Sequence, residues 1–286
     1  MPLSLVLQLS TPEKIPEGNF GRQAQGWFLQ QVDGYISAEL AEKLHQNGDL
    51  RPYTVSNLFN RAYFQPSLGA QKPFSRCSIR FTILDDDLAE SFLAMIKRRK
   101  PARMLNWWME YNIEEYAILN SHHPWAGYES YEHLALLDPD QVLSRVKMEF
   151  SSPTTFNSDG VDKPIPLPGL VYRSAWRKWN QFNPLKITDE WLTVIDTSLH
   201  ITHYNQLKTE RWKFAQGGRG GATGFTGVVT YTLSEEVELK SGISKQDAKM
   251  VLNTLSKFAF YSGIGRHTGW GMGQVRPLGL SRDNTK

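Results

Sequence analysis

The chain has 286 residues, 40% hydrophobic and 21% charged, with a net charge of +3. This composition is typical of a soluble globular protein of two domains, each able to bury its own core. The small net charge means that any nucleic-acid surface must be a local patch. The single cysteine, Cys77, excludes an internal disulfide and indicates a reducing compartment.

The chain begins with the apolar run LSLVLQL. This run is too short for a membrane span and lacks the basic flank and cleavage site of a signal peptide. We therefore interpret it as a strand and expect a cytoplasmic protein.

The first half of the chain predicts a β-α-β-β-α-β order. Helical spacing of Ala24, Trp27 and Phe28 indicates the first helix, and Ser37 is a plausible N-cap for the piece after it. In chain order, the predicted elements are a strand over Leu3 to Leu9, helices over Gly21 to Val32 and Ser37 to His45, strands over Tyr53 to Phe59 and Arg76 to Leu84, a helix over Asp86 to Arg98, and a strand in the Trp-rich run that ends at Leu119. This order is the ferredoxin-like arrangement.

The second half repeats that order. Ser244, with Asp247 three residues later, predicts a capped helix start. The predicted elements are a strand over Val142 to Phe150, a loop with four prolines over Pro153 to Pro168, helices over Gly169 to Phe182 and Thr188 to Leu199, strands over His200 to Phe214 and Gly224 to Leu233, a helix over Lys245 to Tyr261, and a strand over Gly273 to Leu280.

These orders predict an α+β protein of two tandem ferredoxin-like (RRM-like) βαββαβ domains with a cleft between them. We assign residues 1–122 to the N-terminal domain, 123–140 to a linker and 141–286 to the C-terminal domain. The cleft is the expected binding site.

A glycine-rich stretch, Tyr261 to Pro277, joins the last predicted helix to the last strand. It follows a helix instead of opening one, which excludes a dinucleotide fingerprint and a P-loop. Glycines lack Cβ atoms, so an RNA backbone could approach closely, although a glycine-rich turn without a ligand is the alternative. The candidate RNA-binding residues here are Gly263, Gly265, Arg266, His267, Gly269, Gly271 and Gly273.

A second glycine cluster, from Gly217 to Gly227, lies between the two central strands of the C-terminal half. Basic residues accompany it, and Arg211 and Lys213 share one face of a strand. A basic groove with aromatic side chains is typical of single-stranded RNA binding, whereas a long hairpin with a solvated basic strand is the alternative. The candidate RNA-binding residues here are Lys208, Arg211, Lys213 and Arg219. Arg173, Arg177 and Lys178 either extend this positive surface or form a solvated helix face.

Four stretches carry a family resemblance: SPTTF at 151–155, PLPGLVYRSAWRKWNQF at 166–182, KFAQGGRGGATGFTGVVTY at 213–231 and AFYSGIGRHTGWGMGQV at 259–275. They resemble the CRISPR-associated endoribonucleases of the RAMP (repeat-associated mysterious protein) superfamily, which process precursor CRISPR RNA. KLHQNGDLRPYTVSNLF at 43–59 agrees more loosely. The resemblance implies tandem ferredoxin-like domains, precursor CRISPR repeat RNA as the partner, and metal-independent cleavage that leaves a cyclic 2′,3′-phosphate and a 5′-hydroxyl.

Cleavage by an adjacent 2′-hydroxyl needs a proton acceptor or donor and a cation beside the phosphate. His45 ends a predicted helix and Arg51 follows six residues later, across a glycine turn. The resemblance implies that a histidine in this segment is catalytic, often with a nearby lysine or arginine. We therefore predict His45 and Arg51 as the catalytic residues, with His267 as the rival histidine, and we expect no metal and no cofactor. Tyr35, Tyr53 and Ser56 are candidate orienting groups.

The alternative function is a non-catalytic subunit that holds CRISPR RNA within an interference complex, where other subunits of that complex would be partners. The glycine-rich loops serve either function, so His45 and Arg51 are the residues that discriminate between them.

Overall fold

The computed structural model describes residues 1–11, 18–46, 50–59, 76–98, 104–106, 109–158, 160–214 and 220–280, with the side chains of 104–106, 109 and 110 left aside. Predictions about Trp107, Trp108, Gly217, Gly218 and Arg219 fall outside these residues. None of the described helices is long and apolar enough to cross a membrane.

The N-terminal half is built on an antiparallel sheet. Its elements are β1 (Leu3–Ser10), α1 (Gly21–Tyr35), α2 (Ala38–Gln46), β2 (Tyr53–Val55), β3 (Arg76–Ile83), α3 (Asp86–Arg98), β4 (Met104–Asn106), β5 (Met109–Ala117), β6 (Gly127–Tyr128) and α4 (Tyr131–Ala135). The strand order is β2-β3-β1-β5-β4, and β6 also pairs with β1. Without the short strands β4 and β6, this is the ferredoxin-like order that the sequence predicts. Trp27 and Phe28 of α1 pack against Phe81 of the sheet and Phe92 of α3.

The C-terminal half repeats the topology. Its elements are β7 (Arg145–Thr154), β8 (Phe156–Ser158), β9 (Val161–Lys163), α5 (Pro168–Phe182), α6 (Glu190–Ser198), β10 (Leu199–Lys213), β11 (Gly221–Leu233), α7 (Val237–Ser241), α8 (Lys245–Ser262) and β12 (Val275–Leu278), with a 3-10 turn over Thr268–Trp270. The strand order β10-β11-β7-β12 matches that of the first half. Helices α5 and α8 cover one face of the sheet, and Trp179 lies edge-on to Phe258 between them.

Local chemistry explains why the helices begin where the sequence predicts. The Ser37 hydroxyl accepts from the Leu40 N–H at 3.2 Å. The Ser244 hydroxyl accepts from the Asp247 N–H at 3.0 Å. Each bond satisfies an amide that has no partner within the first helical turn, which stabilises the helix start.

Three sequence interpretations need correction. The predicted proline loop over 153–168 contains the β8-β9 hairpin, and α7 was not predicted. The strand predicted over Tyr53 to Phe59 keeps its ladder only to Val55, because Ser56 bridges to Gly271 and Phe59 bridges to Ser78. These short elements depend on partners distant in the chain, which residue patterns do not report.

The predicted linker, residues 123–140, is packed against both halves. Within it, β6 pairs with β1, and Trp125 is buried. The hydroxyl of Thr254 in α8 donates to the carbonyl of Leu134 in α4 at 3.1 Å. The domain boundary itself stays a prediction.

The buried guanidinium of Arg80 in β3 ties the two halves together. It donates to the Ser4 hydroxyl at 2.7 Å, the Trp125 carbonyl at 3.1 Å, Gln274 Oε1 at 2.7 Å and the Phe260 carbonyl at 2.5 Å. It also lies 4.2 Å from the centre of the Phe260 ring. Because Gln274 directly precedes β12, this cation holds the end of the glycine-rich loop against the N-terminal sheet.

Candidate nucleic-acid interface

The glycine-rich loop, residues 263–273, is packed closely against itself and against neighbouring elements. Gly273 has φ 69°, and a Cβ there would lie 2.1 Å from the Ile264 carbonyl oxygen. Gly271 has φ 95°, and a Cβ there would lie 2.8 Å from the Trp212 ring. Other residue types would be strained at both positions. The positive φ values and the close neighbours therefore account for these two glycines without a ligand. Their contact with RNA stays a prediction.

Lys178 of α5 holds the beginning of this loop. Its side chain is buried, and its ammonium donates to the Ser262 carbonyl at 2.6 Å and, at 3.3 Å, to the Gly263 carbonyl and the Thr268 hydroxyl. These carbonyls end α8, where the helix dipole favours a positive charge. The interpretation of Lys178 as part of an exposed positive surface is wrong.

The central feature of the interface is a set of five side chains, Trp270, His267, Phe214, Arg22 and Arg51, which we call the Trp270 cluster. The His267 ring stacks on Trp270 at 4.9 Å with 5° between the planes. Phe214 meets both rings edge-on, at 4.7 and 5.1 Å. Arg22 lies 4.4 Å and Arg51 lies 5.9 Å from the Trp270 ring centre. Rings and guanidinium groups in one cluster suit contact with bases and phosphates.

His267 adopts φ 58°, the left-handed conformation that residues other than glycine rarely take. Such strain persists only where the surroundings impose it and is common at functional sites. Here the stacked Trp270 and the edge-on Phe214 fix the imidazole in place.

A hydrogen-bond chain connects the cluster to the N-terminal sheet. Trp270 Nε1 donates to Gln25 Oε1 at 2.7 Å, and Gln25 Nε2 donates to the Tyr53 hydroxyl at 2.8 Å. Burial raises the pKa of Tyr53, although Arg51 and the bond from Gln25 oppose this. Tyr53 is therefore neutral at physiological pH and acts here as a hydrogen-bonding group.

Of the two predicted catalytic residues, Arg51 belongs to this cluster. His45 is exposed in the last turn of α2, and its neighbour Leu44 is buried and anchors that turn. Residues 47–49 lie outside the described part of the chain. Arg51 contacts the glycine-rich loop directly, since a Cβ on Gly269 would lie 3.1 Å from Arg51 Nη1. The structure thus brings Arg51, His267 and Gly269 together.

The basic strand has the predicted alternation. Arg211 and Lys213 are exposed, while Trp212 between them is buried and donates from Nε1 to the Trp270 carbonyl at 3.2 Å. Lys208 is also exposed and forms an ion pair with Glu210. Arg211 and Lys213 therefore lie on the face of β10 opposite to Trp212, whereas Lys208 lies on the same face as Trp212.

Sequence reasoning missed Arg22 and Gln25. Both lie near the start of α1, whose first turn contains no acidic residue. A basic residue in that turn is unfavourable for the helix dipole. The presence of Arg22 there was therefore a signal that its side chain has a role other than stabilising the helix.

The family model described as CRISPR-associated endoribonuclease Cas6 matches residues 148–275. Comparison with the sequences of curated proteins gives no match. Among solved structures, the Thermus thermophilus Cas6 (TTHB231) product complex is 28% identical with a TM-score of 0.80, over 97% of this chain and 100% of that one. The Cas6 (TTHA0078) product complex is 22% identical with a TM-score of 0.76, over 97% and 99%. A RAMP protein binding different RNA substrates is 14% identical with a TM-score of 0.56, over 96% and 99%.

These findings support a CRISPR-associated RNA-processing protein of the RAMP superfamily. The family whose model it matches is one of endoribonucleases, and the match spans β7 to the start of β12. The glycine-rich loop of this chain, with Lys178 and the Trp270 cluster, lies within or against that matched region. Among the residues that the structure describes, no three His, Cys, Asp or Glu side chains lie together as a metal site requires.

Proposed function

We propose that this RAMP protein is a metal-independent endoribonuclease that cleaves precursor CRISPR RNA within its repeats. The RNA's own 2′-hydroxyl attacks the adjacent phosphorus and gives up its proton to a base. The bond from phosphorus to the 5′-oxygen breaks, and that oxygen takes a proton. The products are a cyclic 2′,3′-phosphate and a 5′-hydroxyl, so atoms and charge balance without another reactant.

The observation that carries the proposal is the meeting of Arg51 with the glycine-rich loop at Gly269 and Trp270. This contact supports a surface that Arg51 shares with the C-terminal half. His45 would transfer the proton, because histidine is the side-chain type suited to proton transfer near neutral pH. Arg51 would stabilise the charge that develops on the phosphate.

In this proposal the RNA lies along the Trp270 cluster and the edge strand β10, whose two faces both carry basic side chains. Arg211, Lys213 and Lys208 would contact phosphates, and the His267–Trp270 stack and Arg266 would contact the strand beside the cleaved bond. Arg219 and the loop glycines complete the proposed RNA-binding set.

Single-turnover cleavage of a repeat RNA tests the mechanism. We expect full cleavage in excess chelator and none when the nucleotide 5′ of the scissile phosphate is 2′-deoxy. Loss of cleavage with chelator would refute the metal-independent mechanism, and cleavage of the 2′-deoxy RNA would refute attack by the 2′-hydroxyl.

His45→Ala should slow that cleavage by roughly 10²–10⁴-fold while leaving RNA affinity within a few fold. His122→Ala, a change at another exposed histidine of the N-terminal half, is the matched control and should cleave at the parental rate. If His267→Ala loses cleavage and His45→Ala does not, the catalytic histidine is His267. If the parent binds repeat RNA without cleaving it, the protein is a non-catalytic RNA-binding subunit.

A further inference from the structure

A cavity of about 930 Å³ lies along α5, beside the glycine-rich loop. We call it the α5 cavity; its lining includes Arg173, Trp176, Arg177, Gln181, Phe182 and Arg266. Its volume is near the upper end of the range for small-molecule sites. Lys178 also lines the space, but its ammonium is bonded to the glycine-rich loop.

The charges of the α5 cavity favour a polyanion. Three arginines line it, and none of its lining residues is acidic. Arg173 forms an exposed ion pair with Asp196, and Arg266 lies 3.7 Å from Asp162. Arg177 is exposed. Exposed ion pairs of this kind are weak, so a phosphate can displace them at small cost.

The α5 cavity also offers surfaces for bases. Trp176 and Phe182 are partly exposed, and Trp176 is fixed by a bond from its Nε1 to the Ile187 carbonyl at 3.0 Å. Fixed aromatic rings stack on bases of any sequence. The side-chain amides of Gln181 and Asn157 line the same space and can donate to and accept from base edges.

Position connects the α5 cavity with the proposed catalytic segment. Leu50, the residue before Arg51, lines it from the N-terminal half. Gly265 and Arg266, which precede His267, line it from the glycine-rich loop. A strand that passes the proposed cleavage site would therefore reach the cavity within a few nucleotides.

We propose that the α5 cavity binds unpaired nucleotides of the repeat RNA next to the cleaved bond, with Arg173 and Arg177 on phosphates and Trp176 and Phe182 against bases. This inference rests on the proposed RNA-processing function, but it concerns a surface apart from β10. It assigns to α5 the role of holding the strand as it leaves the catalytic segment.

The test measures binding of a full repeat RNA that carries a 2′-deoxy nucleotide at the scissile position, so cleavage does not enter. The double variant Arg173→Ala/Arg177→Ala should bind about 10-fold more weakly or worse. The slope of log affinity against log salt should become shallower by about 1.4, as expected for two lost contacts to a single strand. Arg145→Ala is the matched control, because Arg145 is exposed at the opposite end of β7, ~30 Å along the strand from the loop.

Gln181→Glu is a second variant that leaves every arginine in place. Gln181 is exposed, so the protein should fold, and a carboxylate in the cavity should repel the RNA and weaken binding several-fold. Ultraviolet cross-linking of the same RNA should label the peptide over 173–182.

If the folded double variant keeps the parental affinity and the parental salt slope, the α5 subsite is overturned. Cross-links confined to other peptides would overturn it too. A parent that binds this RNA through α5 but leaves the unmodified repeat RNA uncleaved would instead overturn the proposed endoribonuclease, so the two failures are distinguishable.

Discussion

Two regions use basic residues in opposite ways. Around the junction of the two halves, Arg80 and Lys178 are buried and donate to backbone carbonyls and neutral side chains. Along β10 and the end of α2, Arg211, Lys213 and His45 are exposed. The comparison teaches that buried cations hold the glycine-rich loop in place. The RNA chemistry proposed here belongs to exposed side chains outside that buried region.

The largest effect should come from the buried region. Arg80→Ala would leave the Phe260 carbonyl and Gln274 without their donor and should lower the free energy of unfolding by about 3–4 kcal/mol. Thermal or denaturant unfolding measures this, and Arg145→Ala should change it by less than about 0.5 kcal/mol. A small loss in Arg80→Ala would show that the junction does not depend on this cation.

A glycine of the loop gives the next largest effect. Gly273→Ala should lower the free energy of unfolding by about 2–3 kcal/mol, because its positive φ and the nearby Ile264 carbonyl both oppose a Cβ. Gly26→Ala is the control, since that helical position has open space around it and should gain about 0.5–1 kcal/mol. If Gly273→Ala is as stable as the parent but binds RNA poorly, Gly273 is needed for close approach of the RNA, and the loop is not only structural.

The exposed region should show the reverse pattern. Arg211→Ala should leave stability nearly unchanged, weaken repeat-RNA binding by about 1.5 kcal/mol and reduce the salt slope by roughly 1. Lys97→Ala, at the exposed end of α3, should alter neither quantity. Equal affinities for the two variants, measured by titration at several salt concentrations, would remove β10 from the RNA surface.

The smallest effect on function should come from Gly269, where the two regions meet. A Cβ there would press on the ends of the Arg51 and Gln25 side chains, at 3.1 and 3.2 Å. Gly269→Ala should therefore cost under about 1 kcal/mol of stability yet slow single-turnover cleavage several-fold, since Arg51 must shift. Parental cleavage would show that the position of Arg51 against the loop is not needed.

Most of the order of elements was predictable from the sequence, because its causes are local. Apolar spacing indicated α1, hydroxyl caps at Ser37 and Ser244 marked two helix starts, and alternation around Trp212 indicated the exposed face of β10. The family resemblance added the superfamily, which the comparisons support. The proposed roles of His45 and Arg51 stay predictions.

By itself, then, the sequence determined two ferredoxin-like halves, since periodicity, caps and turn residues act over a few positions. Only the tertiary structure decided which basic residues are buried and which glycines meet backbone, because burial depends on partners from other elements. Lys178 and Arg177 are adjacent in the chain, yet one is buried beneath the loop and the other is exposed. Trp270 and Gln25 are 245 residues apart, and their hydrogen bond exists because both halves pack around Arg80 and place the glycine-rich loop on α1.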